Sequence, residues 1–382
     1  MKVAVVTQYF PTSHQPWAGH SAYQTLRHLA TRSDLHVFFP EATYPRHLTP
    51  VSGRRPLDRT WGPPDVQVTY IPYPALPVIS RPLNGWMIAS RLLPHVRRFH
   101  PDIILNYVVY PDGYAAVRIG RALKVPVVLK AIGSDLNRIA DPLCGAFTRS
   151  ALRHADLVAT VSHDLRNTAC SLGADPTRSE AILNGCDTTV FYPQDRAAAR
   201  QFLGLDPTAE TIVYVGRLDV RKGLIELIAA TAQLCLKRPT LRCYFVGEGP
   251  DRPALLEAIA SHNAAWITLI PPCPTAQVAR WMAAADLVTL PSYREGCPNV
   301  VIEALAAGRP LVATNVGGIP ELMDDACGRL IPPKDVPALA LALEEVLDHT
   351  WSAAAISSKH NRSWSDVSDD LYLLLDRTLN QR

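Results

Sequence analysis

The sequence predicts an α/β protein built from two parallel-sheet halves, and three observations carry that prediction. A chain of 382 residues exceeds what one hydrophobic core commonly serves, so two domains of ordinary size are expected. Short apolar runs alternate with longer amphipathic stretches, the pattern of β-α-β units. After a polar stretch, GCDTTVFYPQDRAAARQFLGLDP, the same series starts afresh.

The opening MKVAVVTQYF reads as a first buried strand at 3–6 that gives way to a loop by Thr7. It lacks the longer apolar stretch and small-residue cleavage site of a secretory leader. Further strands are expected at 35–39, 66–71, 103–106, 127–130 and 157–161, with a short one near 181–183. Helices at 21–30, 87–99, 114–123 and 147–154 supply the crossovers. Ten prolines between Pro40 and Pro82 mark that span as largely loop and extended chain, the place for a mobile or substrate-facing segment. In the second half, strands are expected at 211–215, 242–246, 266–270, 287–290 and 311–313. The segment SWSDVSDDLYLLLDRTLN has the apolar spacing of a helix. The domain limits that follow are 1–185, a linker at 186–208, a second domain at 209–360 and a C-terminal helix at 361–382.

Composition narrows the class. With 48% apolar and 19% charged residues the chain suits a soluble globular protein, and it has no run of about 18 apolar residues to cross a bilayer. Eight cysteines form no C-x-x-C pair and no paired His spacing, so neither a zinc site nor a disulfide framework is suggested and a reducing cytoplasm is expected. The net charge of +3 conceals an asymmetry: 19 Lys and Arg against 10 Asp and Glu up to residue 170, then 19 against 25. A basic first half fits an anionic partner, whether a membrane surface or a phosphorylated substrate, and equally an ordinary solvated surface. Nucleic acid is set aside, because no dense basic run or recognition motif accompanies the charge.

In open α/β sheets ligands bind beyond the carboxyl ends of strands, where helix N-termini favour anions. In GRLDVRKG, Arg217 follows Gly216 and Lys222 precedes Gly223, two cations suited to a diphosphate. Arg217 is equally able to pair with Asp219 or Glu226 on the surface. FVGEGP supplies Gly247 and Gly249, a weak signal alone. In SYREGCPNVVIE, Asn299 is expected to cap a helix with Glu303 in its first turn. Amides from Gly296 onward would then face an anion while Glu295 and Glu303 accept hydrogen bonds from hydroxyls. That is the pattern of a sugar nucleotide. Otherwise Glu303 only complements the helix dipole, worth about 0.3–1 kcal/mol.

Together GRLDVRKG, VGEGP, the glutamates of REGCPNVVIE and EALAAGRPLVATNVGGIPEL resemble the donor-binding half of the retaining glycosyltransferases of family 4, the group 1 type. The first half agrees through Gly19, PDIILNYVVYPDGYAA, PVVLKAIGSDLN, ADLVATVS and LNGCDTTVFYP, so the resemblance spans nearly the whole chain. It implies the GT-B fold: two Rossmann-like domains facing a central cleft, acceptor-binding first and nucleotide-sugar-binding second, with the C-terminal helix crossing back to the first. It also implies that Arg217 and Lys222 bind the diphosphate, Glu303 the ribose hydroxyls and Glu295 the sugar hydroxyls. The backbone of Gly296, Cys297, Pro298, Asn299 and Val300 would hold the sugar and distal phosphate. Gly247 would line the same site, and Gly19 would let the first domain's backbone approach the diphosphate. The base would lie by the PPCP loop; a UDP-sugar is the expected donor, as co-substrate rather than cofactor.

One departure stands out. Where the family often has His-Gly, this chain has Ile132-Gly133-Ser134-Asp135. Asp135 therefore joins Glu295, Arg217 and Lys222 as a catalytic candidate, with His14, His20, Asn106 and Ser134 as acceptor-side candidates. The expected reaction is retaining transfer of a sugar to a hydroxyl of a sugar, glycan or lipid-linked acceptor, in polysaccharide, cell-surface glycan or glycolipid synthesis. No Asp-x-Asp occurs, in keeping with a metal-independent site. The basic segment WMIASRLLPHVRRFH, with Trp86, Arg91, Arg97 and Arg98, suits either a helix packed on its sheet or peripheral contact with an anionic cytoplasmic membrane face. A sugar-nucleotide epimerase and a non-catalytic sugar-nucleotide binder are the alternatives. A dinucleotide dehydrogenase is disfavoured, since no G-x-G-x-x-G follows either first strand.

Overall fold

The computed structural model describes residues 1–45, 57–137 and 141–381, and they form two compact units. The first comprises Met1–Leu183 and the C-terminal helix; the second comprises Asn184–Ser363.

The first unit opens with β1 (Lys2–Val6), α1 (His20–Leu29), β2 (Asp34–Thr43), β3 (Gln67–Pro74) and α2 (Asn84–Phe99). It continues through β4 (Ile103–Tyr107), α3 (Tyr114–Leu123), β5 (Val127–Ala131), α4 (Ser134–Asn137), α5 (Pro142–His154), β6 (Leu157–Thr160), α6 (His163–Ser171) and β7 (Ser179–Ala181). Its seven strands run in the order β3-β2-β1-β4-β5-β6-β7, every pair parallel. A parallel sheet is covered on both faces, which is why β1 and β4 read as almost unbroken apolar runs, β1 buried from Val3 onward and β4 throughout. Part of the proline-rich span lies outside the described residues. Elsewhere in it Pro72 and Pro74 sit on β3, paired with Glu41 and Thr43 of β2. Because β3 is the edge strand, proline's missing N–H is tolerated there. Helix α5 starts earlier than its apolar spacing suggests, since the Asp141 side chain caps it by accepting from the amides of Leu143 and Cys144.

The second unit contains α7 (Arg196–Leu203), β8 (Thr211–Val215), α8 (Leu224–Cys235), β9 (Arg242–Val246), α9 (Arg252–Ser261), β10 (Ile267–Ile270) and α10 (Thr275–Ala284). Then follow β11 (Leu287–Leu290), α11 (Asn299–Ala306), β12 (Leu311–Thr314), β13 (Gly328–Ile331), α12 (Val336–Asp348) and α13 (Ala353–Lys359). Six parallel strands take the order β10-β9-β8-β11-β12-β13. Residues 186–208, expected as a linker, lie within this unit. There α7 packs Ala199 against Ala283 and Ala284, and Arg200 pairs with Asp286 at 2.7 Å.

The last helix, α14 (Trp364–Asn380), belongs to the first unit. Trp364, Val367, Leu371, Leu374 and Leu375 are buried on its one apolar face and join the core of Val3, Val5, Leu26, Leu29 and Leu105. Each such side chain contributes about 1.5–3 kcal/mol on burial.

Candidate active site

Strand order decides where loops converge. In the second unit the sheet grows outward in both directions from β8 and β11, so the loops that follow these two strands lie side by side at the switch point. One carries Arg217 and Lys222; the other carries Glu295. Lys222 Nζ lies 2.6 Å from Glu295 Oε1, and Glu295 is the more enclosed, its side chain 10% exposed against 29% for the lysine. Backbone contacts fix this approach. The Tyr293 amide donates to the Arg221 carbonyl at 2.9 Å and the Gly318 amide to the Gly296 carbonyl at 2.8 Å. A Cβ on Gly223 (φ +71°) would fall 2.0 Å from the Pro291 carbonyl oxygen, and one on Gly317 (φ +56°) would fall 2.1 Å from that of Glu295. Both positions require glycine twice over, for conformation and for space.

Arg217 is exposed and is not taken up by either carboxylate that might have claimed it. Asp219 pairs with Arg221, whose hydrogen bonds hold its carboxyl well below the usual range. Glu226 instead accepts from the Tyr293 hydroxyl at 2.6 Å. Gly247, at the end of β9, abuts the Gly216 backbone, where a Cβ would lie 2.0 Å from the carbonyl oxygen.

Two local expectations about α11 are corrected. Pro298, not Asn299, occupies the N-cap position and no side chain caps the helix. Asn299 is the first helical residue, and its Oδ1 accepts from Asn184 Nδ2 at 2.9 Å, the same amide group reaching the Cys297 carbonyl at 3.3 Å. Glu303 consequently sits one turn further in, outside the first turn. It is partly buried with no hydrogen-bond or ion-pair partner for its carboxyl among the described residues, and burial pushes that carboxyl up to about 7. The uncapped first turn leaves the amides of Asn299 and Val300 available to an anion.

Sequence reasoning passed over Asn184, which braces this turn from 115 residues away, and Thr314, whose hydroxyl donates to the Ser292 carbonyl at 2.6 Å. The Asn-Gly pair in LNGCDTT was the available signal for the first.

The first unit has its own switch point, between β1 and β4. There the Gln8 amide donates to Asp112 Oδ2, and Asp112 is buried, its carboxyl pushed up to about 7. Val108 beside it has φ +77°, a conformation that strains a β-branched residue. The acceptor-side candidates lie at or beyond the carboxyl ends of the adjacent strands β1, β4 and β5, in different surroundings. Asn106 is buried, donating to the carbonyls of Val6 and Tyr107 at 2.8 and 3.1 Å. Ser134 and His14 are exposed, while the His20 ring packs edge-on to Trp364 with centroids 6.2 Å apart. Asp135 accepts from the amides of Val109, Ile132 and Gly133, and so ties the loop after β5 to the loop after β4. Ile132 packs against the first unit's core. Gly19 has φ +60°, and a Cβ there would lie 2.5 Å from the backbone of Tyr9 and Phe10, so the loop's own packing already demands glycine.

Among the described residues one group of metal-ligating type brings its atoms within 4.8 Å of one another: Asp324, Cys327 and His360. Lys359 is ion-paired with Asp324, and burial pushes the Cys327 thiol up to about 11. A cation there would have to displace the one and deprotonate the other.

Comparison with known proteins supplies the family. The family described as Glycosyltransferase Family 4 matches residues 18–190, and the one described as Glycosyl transferases group 1 matches residues 209–349. A Bacillus subtilis protein assigned to teichuronic acid biosynthesis as the glycosyltransferase TuaC is 32% identical, over 97% of this chain and 93% of its own length. A D-inositol 3-phosphate glycosyltransferase of Segniliparus rotundus is 34% identical over 75% of this chain and 62% of its own. Among solved structures, Anabaena HepE in complex with UDP superposes with a TM-score of 0.78 at 19% identity, covering 99% of this chain and all of that one. Sucrose-phosphate synthase from Thermosynechococcus elongatus does so with 0.72 at 20%, covering 100% and 97%. The fold is therefore GT-B, and the chain belongs to the group 1, family 4 glycosyltransferases. It is a transferase enzyme.

Proposed function

We propose that this glycosyltransferase moves a sugar from a nucleotide-diphosphate donor, a UDP-sugar first among candidates, to a hydroxyl acceptor with retention of anomeric configuration. The observation that carries the reading is the Lys222–Glu295 pair, held at 2.6 Å on two adjacent strand-end loops and followed directly by the uncapped α11. Lys222 and the exposed Arg217 would neutralise the diphosphate, whose charge grows as the bond to the sugar breaks. Glu295 would accept from sugar hydroxyls and Glu303 from the ribose. The backbone from Gly296 to Val300 would hold the distal phosphate and sugar. Neither glutamate serves as a glycosidase-type acid or base.

In the proposed step the bond from the anomeric carbon to the phosphate oxygen breaks and the acceptor oxygen bonds to the same face. The acceptor proton passes to a phosphate oxygen of the departing nucleoside diphosphate. No protein nucleophile and no metal ion are needed, and the strand-end loops present no carboxylate pair in the Asp-x-Asp arrangement. Asp135 is given a positioning role, since its carboxylate is committed to three amides. The acceptor would be a sugar, glycan or lipid-linked hydroxyl reached from the cytoplasmic side. This reading is supported by the family and by the HepE structure, which carries UDP in the same fold.

A thermal-shift panel of UDP-, GDP- and ADP-sugars tests the proposal. A bound donor at 100 times its dissociation constant adds about 2.7 kcal/mol of stability. A shift with one nucleotide class and not the others is expected; no shift with any would remove the donor site.

A further inference from the structure

The first unit exposes apolar surface where its sheet and second helix meet. Val78 and Ile79 are 74% and 77% exposed, Leu83 57% and Trp86 46%. Single exposed apolar side chains are ordinary; four within nine residues form a patch that calls for an explanation. The turn that presents them is tied down. Ser80 is buried, its Oγ accepting from the Leu76 amide at 2.8 Å and lying 2.9 Å from the Leu76 carbonyl. The Tyr110 hydroxyl donates to the Arg81 carbonyl at 2.7 Å. Val78 itself has φ +64°, so a β-branched residue is kept in a left-handed conformation at the outermost point, where Gly or Asn would be easier.

Charge surrounds this tip with a single sign. No Asp or Glu occurs between Asp65 and Asp102, while Arg81, Arg91, Arg97 and Arg98 do. Arg91, Arg97 and Arg98 are exposed on α2. Helix α3, packed on α2, also lacks carboxylates and adds Arg118 and Arg121; the Arg118 guanidinium lies 3.2 Å from the centre of the Trp86 ring. On the neighbouring α5, Asp141 is taken up in capping.

We propose that residues 76–86 are a docking element for an anionic lipid bilayer, with Val78, Ile79, Leu83 and Trp86 entering the headgroup boundary and the arginines of α2 and α3 meeting lipid phosphates. Apolar insertion combined with basic flanks is what holds a protein at such a surface without spanning it, and no helix among the described residues is long and apolar enough to cross a membrane. A solvated basic face alone would account for the arginines but not for the braced apolar tip. The element would place the first unit at the surface where a lipid-linked acceptor resides; that acceptor class rests on the glycosyltransfer reading above, while the docking does not.

The full chain is sedimented with vesicles of phosphatidylglycerol and phosphatidylcholine, and with vesicles of phosphatidylcholine alone. Binding to the anionic vesicles is expected, weakened at least tenfold by high salt and by the double variant Val78→Asn/Ile79→Ser. Asn is chosen because it tolerates the left-handed conformation. The same variant should give the parent's thermal shift with the donor sugar nucleotide. Equal binding to both vesicle types, no binding, or a variant that binds as the parent does would each overturn the proposal. So would a parent dimer in light scattering that the variant abolishes, which would assign the patch to a second copy of the chain. In the parent, absent vesicle binding with a donor shift present counts against the docking alone, and an absent donor shift with vesicle binding present counts against the donor site alone.

Discussion

Lys222 Nζ and Glu295 Oε1 lie 2.6 Å apart across the β8 and β11 loops, so each group expected to meet one end of a sugar nucleotide is positioned by the other. The pair is largely shielded, its side chains 29% and 10% exposed, so removing one charge leaves the other partly buried and unpaired, which costs stability. Lys222→Met and Glu295→Gln should each lower the melting temperature modestly and lower kcat/KM by roughly a hundredfold or more, as expected for groups that act on developing charge. The double variant should lose less than the product of the two losses, because neither residue keeps its position alone. Strictly multiplicative losses would mean that they act independently.

Glu303 sets a pH dependence. Its carboxyl is raised by burial to about 7 from a usual 4.5, so the folded state holds the proton more tightly than the unfolded chain. Its contribution to stability is full below about 4.5 and is lost as the pH rises toward 7. The variant Glu303→Gln should melt higher than the parent at pH 8, the gap closing by pH 4.5. Hydroxyls of the nucleotide donate to the ionised form, so affinity should rise with pH up to about 7 and level off above, with proton release seen by calorimetry in buffers of different ionisation enthalpy. A flat profile in the parent would remove Glu303 from the site.

Gly317 provides a geometric test. A methyl group there would lie 2.1 Å from the Glu295 carbonyl oxygen at φ +56°, forcing the loop that carries Glu295 to move. Gly317→Ala should cost about 1–3 kcal/mol of stability and at least tenfold in donor affinity. Gly204→Ala is the control: φ is also positive, at +67°, but nothing lies within 4 Å, so it should cost stability without touching the donor.

Metal independence is checked by chelation. Exhaustive EDTA treatment should leave the rate of transfer within twofold, and added divalent ions should not restore the Lys222→Met variant. Loss of activity on chelation, recovered by one ion, would require a metal role that the strand-end loops do not suggest.

Much of this was readable from the chain because parallel strands buried on both faces leave apolar runs such as VAVV and LVTL, and because glycines and charged residues at their ends are local in sequence. What was not readable depended on distant partners. Asn299 looks like a cap until Asn184, 115 residues earlier, engages its side chain. Arg217 could have met Asp219 or Glu226; Asp219 is taken by Arg221, two residues on, but Glu226 is taken by Tyr293, which only the tertiary structure brings to it. Strand β13 has four residues and lies at a sheet edge, too short for a pattern. The 40–82 span looked like loop because prolines rarely sit in strands, yet β3 accepts two at the sheet edge. On the acceptor side, partly buried Ile132 packs against the core where a polar side chain was sought.

The most direct test of the donor site is isothermal calorimetry of the parent and Glu303→Ala with the UDP-sugar that gives the largest thermal shift, at pH 8. The expected result is saturable one-to-one binding by the parent and at least a hundredfold weaker binding by the variant, with an undiminished melting temperature. Equal affinities in the two proteins would contradict the account.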